Sequence, residues 1–294
     1  MLYLFLSIFL NAYIGIVFAY FNKYKIDIFQ AIVFNYAICV ITGSIALGEF
    51  PIKPAIVHES YFSWAIIMGI LFISVFNLIG ISSIKVGITI TQTSNKLSLI
   101  IPVIFSYFLY HEKILPIKLI GILLALVAVI LVSSKSKTLP NKKISGWEYA
   151  LPITLFISSG IIDSLTKYVQ NRFLTSAEIS NSYLISGFFV AFLIGAVALI
   201  YLYISKKKTF DIKNFVAGII LGIPNYFSIY FLVKALQSDS LSSSAIIPIN
   251  NIGVLFVVSS FGIFVFKEKL SKANYLGLAF TLLAIILIFL GDKI

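Results

Sequence analysis

About ten stretches of roughly 20 apolar residues follow one another along this chain, with short polar connections between them. Their approximate bounds are 2–21, 29–48, 61–84, 88–110, 115–133, 149–170, 179–204, 214–235, 241–266 and 271–290. A helix rises about 1.5 Å per residue and satisfies its own backbone groups, so each stretch is long enough to cross a hydrocarbon core of about 30 Å. The pattern predicts an all-α integral membrane protein with about ten transmembrane helices. The most polar run, Ser133 to Lys143, falls between the fifth and sixth stretches. It divides the chain into a first bundle at 1–134, a linker at 135–147 and a second bundle at 148–294.

The two bundles share a signature. His111-Glu112-Lys113-Ile114 followed by Gly121 recurs about 156 residues later as Lys267-Glu268-Lys269-Leu270 followed by Gly277. Five spans per half is an odd number, so the second copy enters the membrane from the opposite face. The halves are expected to be inverted repeats, an arrangement typical of secondary carriers.

Composition agrees with lipid as the solvent. The chain is 60% hydrophobic and 11% charged, with 27 Phe and 16 Tyr spread throughout. The first stretch lacks both a preceding basic region and a following small-residue cleavage site, so it reads as a retained span. The single cysteine, Cys39, has no disulfide partner, and the two histidines fall in connections. No metal-ligand spacing and no phosphate-binding glycine loop is present, so neither metal nor other cofactor is expected and direct ATP coupling is disfavoured.

The net charge of +11 does not lie on one basic face, which argues against nucleic acid as a partner. The connections after spans one, three, five, seven and nine hold most of the lysines, among them Lys23, Lys85, Lys135, Lys206, Lys213 and Lys267. The positive-inside rule makes those connections cytoplasmic and both termini external. A bacterial-type inner or plasma membrane is the expected location.

The repeated Glu-Lys turn, the glycine about nine residues beyond it and the five-plus-five layout together resemble the EamA-like family of the drug/metabolite transporter superfamily. The resemblance covers nearly the whole chain. Ser158 to Lys167 also resembles the family's opening span, with a small residue near its middle and a lysine near its end. The first half departs from that pattern, having Gly15 but Asn22-Lys23 where the lysine would fall. The resemblance implies a secondary carrier for small organic molecules, frequently an exporter of amino acids or other metabolites. Glu112 and Glu268 are read as structural, because an acidic residue before a helix interacts favourably with its positive end and caps free N–H groups.

Function in a carrier is sought where polar groups sit at membrane depth, since each costs several kcal/mol (~2 or more) unless it meets a partner or a wet cavity. Lys96 falls in mid-span four, and Thr89, Gln92, Thr93 and Lys96 share one helical face. At the repeat offset Asn95 corresponds to Asn251, so span nine supplies Asn250 and Asn251 opposite the fourth. Asp163 belongs to a second stripe with Ser159, Thr166 and Gln170, and Lys167 is spaced to pair with it. Asn225 stands beside a helix breaker in Gly222-Ile223-Pro224-Asn225-Tyr226, and Pro102 and Pro248 are placed to bend spans four and nine. The other intramembrane amides, Asn11, Asn35, Asn77 and Asn181, read as glue between helices.

These residues give a first function: a secondary transporter, expected to export a small polar metabolite such as an amino acid or organic anion, by alternating access around a central cavity. Gln92, Asn95, Lys96, Asn225, Asn250 and Asn251 are the substrate-binding candidates and Asp163 the ion-coupling candidate. Proton-coupled efflux without anion recognition is the alternative. An integral membrane lipid-modifying enzyme is a third reading, disfavoured because the carboxylates are few and scattered. Ten spans can enclose a pathway in a monomer, and a homodimer stays open.

Overall fold

The computed structural model describes residues 1–102, 104–105, 115–133, 146–174, 176–236 and 243–293. The helices among them are α1 (Leu2–Tyr24), α2 (Ile28–Leu47), α3 (Phe62–Lys85), α4 (Ile88–Leu97), α5 (Pro116–Ser133), α6 (Gly146–Phe173), α7 (Ala177–Ile204), α8 (Ile212–Leu236), α9 (Ser243–Phe264) and α10 (Lys272–Lys293). Each begins within three residues of an expected span. The first Glu-Lys turn, around Glu112, and the polar run beyond Ser133 lie outside the described residues.

By length and apolarity α1, α2, α3, α7, α8 and α10 can each cross a membrane, and α5, α6 and α9 carry shorter apolar segments. Local chemistry sets several helix ends. Asp27 accepts the Gln30 N–H at 2.9 Å to start α2, and Gly48 ends it in the left-handed conformation, φ 81°. Ser271 and Asn274 cap α10 reciprocally: the Asn274 N–H donates to Ser271 Oγ at 3.1 Å and the Ser271 N–H to Asn274 Oδ1 at 2.9 Å. The fourth span is interrupted, since α4 ends at Leu97 where a helix to residue 110 was expected.

The chain forms two compact units, each drawing on both sequence halves. The first comprises Met1–Ala19, Ile79–Asp163 and Phe227–Ile294, and the second Tyr20–Leu78 and Ser164–Tyr226. In the first unit α5 packs on α10 and α4 on α9; in the second α2 packs on α7. Each pair joins a helix to its counterpart in the other repeat.

Two of the pairs run antiparallel, as inversion requires. Gly121 near the start of α5 lies against Ile288 near the end of α10, while Gly277 near the start of α10 lies against Val132 at the end of α5. In the second unit Gly195 of α7 meets Val33 of α2, and Gly43 of α2 meets Ile185 of α7. Glycine is needed at these crossings because helices in lipid associate through close backbone packing. The fold is two inverted five-helix repeats.

The first unit holds a core of Leu97, Ile100, Ile122, Ala125, Phe156, Ala284 and Ile288, gathered from α4, its continuation, α5, α6 and α10. A second cluster joins Ala12 of α1, Ile88 of α4 and Val254 and Val258 of α9. The opposite face of α5 exposes Leu119, Leu123, Val127 and Ile130, an apolar stripe suited to lipid.

Candidate functional site

α4 reads ITITQTSNKL, with seven polar residues in ten, and most of it is buried. Such a helix persists only if its polar groups find partners. Two of its three threonines do so locally: Thr91 Oγ1 lies 2.7 Å from the Gly87 carbonyl and 2.8 Å from Ser82 Oγ, and Thr93 Oγ1 donates to the Thr89 carbonyl at 2.7 Å. Gln92 and Ser94 do not. Gln92 Oε1 and Ser94 Oγ are buried with no hydrogen-bond partner among the described residues. α1 presses on Gln92 at Gly15, where an added Cβ would come within 2.9 Å of Gln92 Nε2.

Lys96 sits one turn beyond Gln92 and is half-buried. Below it the helix tightens. The Ser98 N–H reaches the Asn95 carbonyl at 3.4 Å, and the Ile101 N–H reaches the Ser98 carbonyl at 2.9 Å, both three residues back. Pro102 explains the second contact: it has no N–H to offer Ser98, so Ile101 supplies one through a tighter turn.

Asp163 of α6 meets this turn. Its Oδ2 lies 2.9 Å from Ser98 Oγ, which also lies 2.6 Å from the Asn95 carbonyl oxygen. The Lys96 and Asp163 charges act on one another, and the Asp163 side chain is exposed although it is in mid-helix. One turn before Asp163 on α6, Gly160 seats Ile101; an added Cβ there would approach Ile101 Cδ1 to 2.3 Å.

α9 contributes two buried amides. Asn250 Oδ1 lies 3.1 Å from Ser7 Oγ of α1, and Ser7 Oγ is also 2.9 Å from the Ser228 carbonyl. Asn251 is buried on the adjacent position. Asn225 belongs to the second unit, where its Nδ2 donates to Asn35 Oδ1 at 3.2 Å.

Glu268, in the connection between α9 and α10, holds the start of α4. Its carboxylate accepts the N–H groups of Ile88 at 2.6 Å and Thr89 at 3.3 Å. Gly87, at φ 97°, and Gly262 make room for it, since a Cβ on either would fall within 2.7 Å of a Glu268 oxygen. Burial pushes this carboxyl above the ordinary range, and the donated hydrogen bonds oppose that rise. The structural reading of Glu268 therefore stands with a correction. It caps α4, a helix 180 residues earlier, whereas the helix that follows it is capped by Ser271 and Asn274.

Sequence and structure comparisons bear on what this arrangement serves. The model of the EamA-like transporter family matches residues 144–290. A protein of Haemophilus influenzae, described as uncharacterized, is 30% identical over 283 residues, covering 93% of this chain and 92% of its own length. The chain belongs to the EamA-like transporter family. A protein of known crystal structure superposes with a TM-score of 0.58 at 14% identity, covering 98% of this chain and 99% of that one. That likeness is one of fold.

This EamA-like transporter is thus a multi-pass membrane protein whose family handles small molecules. Its first unit contains Gln92, Asn95, Lys96, Asp163, Asn250 and Asn251, and its second contains Asn225. The charges of Lys96 and Asp163 act on one another; the side chains of Lys167, which is spaced to pair with Asp163, and Gln170 lie outside the described ones. Ser98 escaped notice because it follows a run of polar residues from which its residue type does not set it apart. The clue was its place four residues before Pro102.

Proposed function

We propose that this chain is a secondary transporter that exports a small polar metabolite bearing a carboxylate or another anionic group, by alternating access. The observation that supports the reading is a cation in the last turn of the polar, largely buried helix α4, one turn from a buried carboxamide oxygen with no hydrogen-bond partner among the described residues. A charge at that depth costs about 3 kcal/mol or more unless it is matched. Lys96 supplies the match for an anionic group, and Gln92, Asn95, Asn250 and Asn251 supply hydrogen bonds. Selection for such a costly helix follows if the helix binds cargo.

Asp163 is the ion-coupling group in this reading. Its carboxyl stands within the electrostatic reach of Lys96 and on a hydroxyl of the tightened turn, so a proton gained or lost there alters the charge that the substrate meets.

The test begins with a thermal-shift screen of purified protein against amino acids, organic acids, sugar phosphates and nucleosides, because a ligand that binds the native state stabilises it. Compounds that stabilise are then followed in proteoliposomes with wild type, Lys96→Ala and Lys96→Arg. Lys96→Ala is expected to abolish transport and Lys96→Arg to retain part of it. Undiminished transport of every such compound by Lys96→Ala overturns the role of the lysine.

A further inference from the structure

Ser98 has one hydroxyl hydrogen and two oxygen neighbours. The Asn95 carbonyl at 2.6 Å accepts only, and the Asp163 carboxyl oxygen at 2.9 Å accepts only when ionised. With Asp163 ionised, the hydroxyl must choose. If it donates to the carboxylate, the Asn95 carbonyl keeps only the Ser98 N–H at 3.4 Å. If it donates to Asn95, two oxygen lone pairs face each other across 2.9 Å.

With Asp163 protonated, all three groups are satisfied in sequence. The carboxyl O–H donates to Ser98 Oγ, and the Ser98 O–H donates to the Asn95 carbonyl. The shorter distance is the one to Asn95, which fits this direction of donation.

We propose that Ser98 is a positioning residue that couples the proton on Asp163 to the tightened turn of α4 directly below Lys96. Binding of a proton from bulk water to the Asp163 carboxylate closes the chain Asp163–Ser98–Asn95 and holds the turn. Release of that proton to water draws the Ser98 hydroxyl to the carboxylate and frees the Asn95 carbonyl. Tightened turns inside longer helices are common hinge points, and Pro102 keeps this one from reverting to regular helix. The hinge lies between Gln92 and Lys96 on one side and the core residues Leu99 and Ile100 on the other, so its state sets the direction in which Lys96 is presented.

Among the described residues the charge acting on Asp163 is that of Lys96 on α4, and Ser98 is the hydrogen-bond partner. The turn therefore responds to three groups and one proton. This inference rests on the coupling role given to Asp163 above, and it extends that role to a residue with no charge.

The experiment is amide hydrogen exchange over residues 95–101 in purified, ligand-free, full-length protein, across a range of pD and corrected for intrinsic exchange. Wild type is expected to lose protection by about tenfold as pD rises through the Asp163 titration, the equivalent of one net hydrogen bond. Ser98→Thr keeps the hydroxyl and should keep that transition. Ser98→Ala should lose the pD dependence while melting close to wild type. Asp163→Asn places an N–H donor against Ser98 at every pD and should remain protected throughout. A wild type without the transition, a Ser98→Ala or Asp163→Asn protein that retains it, or a Ser98→Thr protein that loses it overturns the proposal. No substrate enters this measurement, so a failure of the transport assay and a failure of the coupling remain separate results.

Discussion

Gly277 of α10 lies against Val132 of α5 so closely that a Cβ on the glycine would fall 2.7 Å from Val132 Cγ2 and 2.9 Å from its backbone nitrogen. Gly121 and Ile288 repeat the contact at the other end of the same helix pair, with approaches of 2.9 Å to Cγ1 and 3.1 Å to the backbone nitrogen. Both residues of each pair are related to those of the other by the repeat offset of about 156. A single crossing is thus used twice.

The crossing predicts an order of damage. Gly277→Ala meets backbone at 2.9 Å, and Gly121→Ala meets nothing of the backbone nearer than 3.1 Å. Overpacking costs about 1–3 kcal/mol, so Gly277→Ala is expected at the upper end and Gly121→Ala at the lower. Thermal unfolding of the two variants in detergent checks the order, and equal or reversed losses would contradict the close approach.

Glu268 offers a pH test. Glu268→Ala leaves the Ile88 and Thr89 N–H groups without their acceptor and should cost about 1–2 kcal/mol. Glu268→Gln keeps a carbonyl oxygen and should cost less. The carboxyl's folded-state pKa is raised from 4.5 by burial, so the folded state holds this proton more tightly than the unfolded chain does. Its contribution is therefore fully present below about 4.5 and is lost as pH rises through the raised value. Melting temperature recorded against pH should show a falling component in wild type that is absent in Glu268→Gln.

The helices and their inversion were legible because membrane spans announce themselves by length, and an odd span count forces the inversion. Lys96 stood out in the sequence because a cation at membrane depth calls for a partner. What was not legible was partnership across the chain. Nothing local to Glu268 says that it caps α4, because the two Gly contacts that make its seat are scattered between residues 87 and 262. The break after Leu97 was foreshadowed by Pro102, but its position depends on which N–H fills the place of the missing donor.

The second unit is pinned by a polar network that apolar patterning could not reveal. Gln30 donates to the Thr209 carbonyl at 3.1 Å and accepts from Tyr203 Oη at 2.9 Å and Asn214 Nδ2 at 3.1 Å, while Asp27 pairs with Lys208. Gln30→Leu strands all three partners and should cost about 1–3 kcal/mol. Tyr203→Phe removes one donor at the edge of the network and should cost less than Gln30→Leu. Denaturation of the two variants under identical conditions checks the ordering.

Lys96 and Asp163 give the last prediction, a double-mutant cycle. If each charge tempers the cost of the other, Lys96→Met and Asp163→Asn should each lower the melting temperature, and the double variant should lose less than the sum of the two single losses. Removing one partner leaves an unmatched charge at membrane depth, whereas removing both leaves none. The two charges act on one another, and a coupling of about 0.5–1 kcal/mol is expected. Strict additivity of the two losses would mean that the charges do not share a site. In that case Lys96 would need a substrate anion or another neighbour for its match, and transport assays with the single variants would show which.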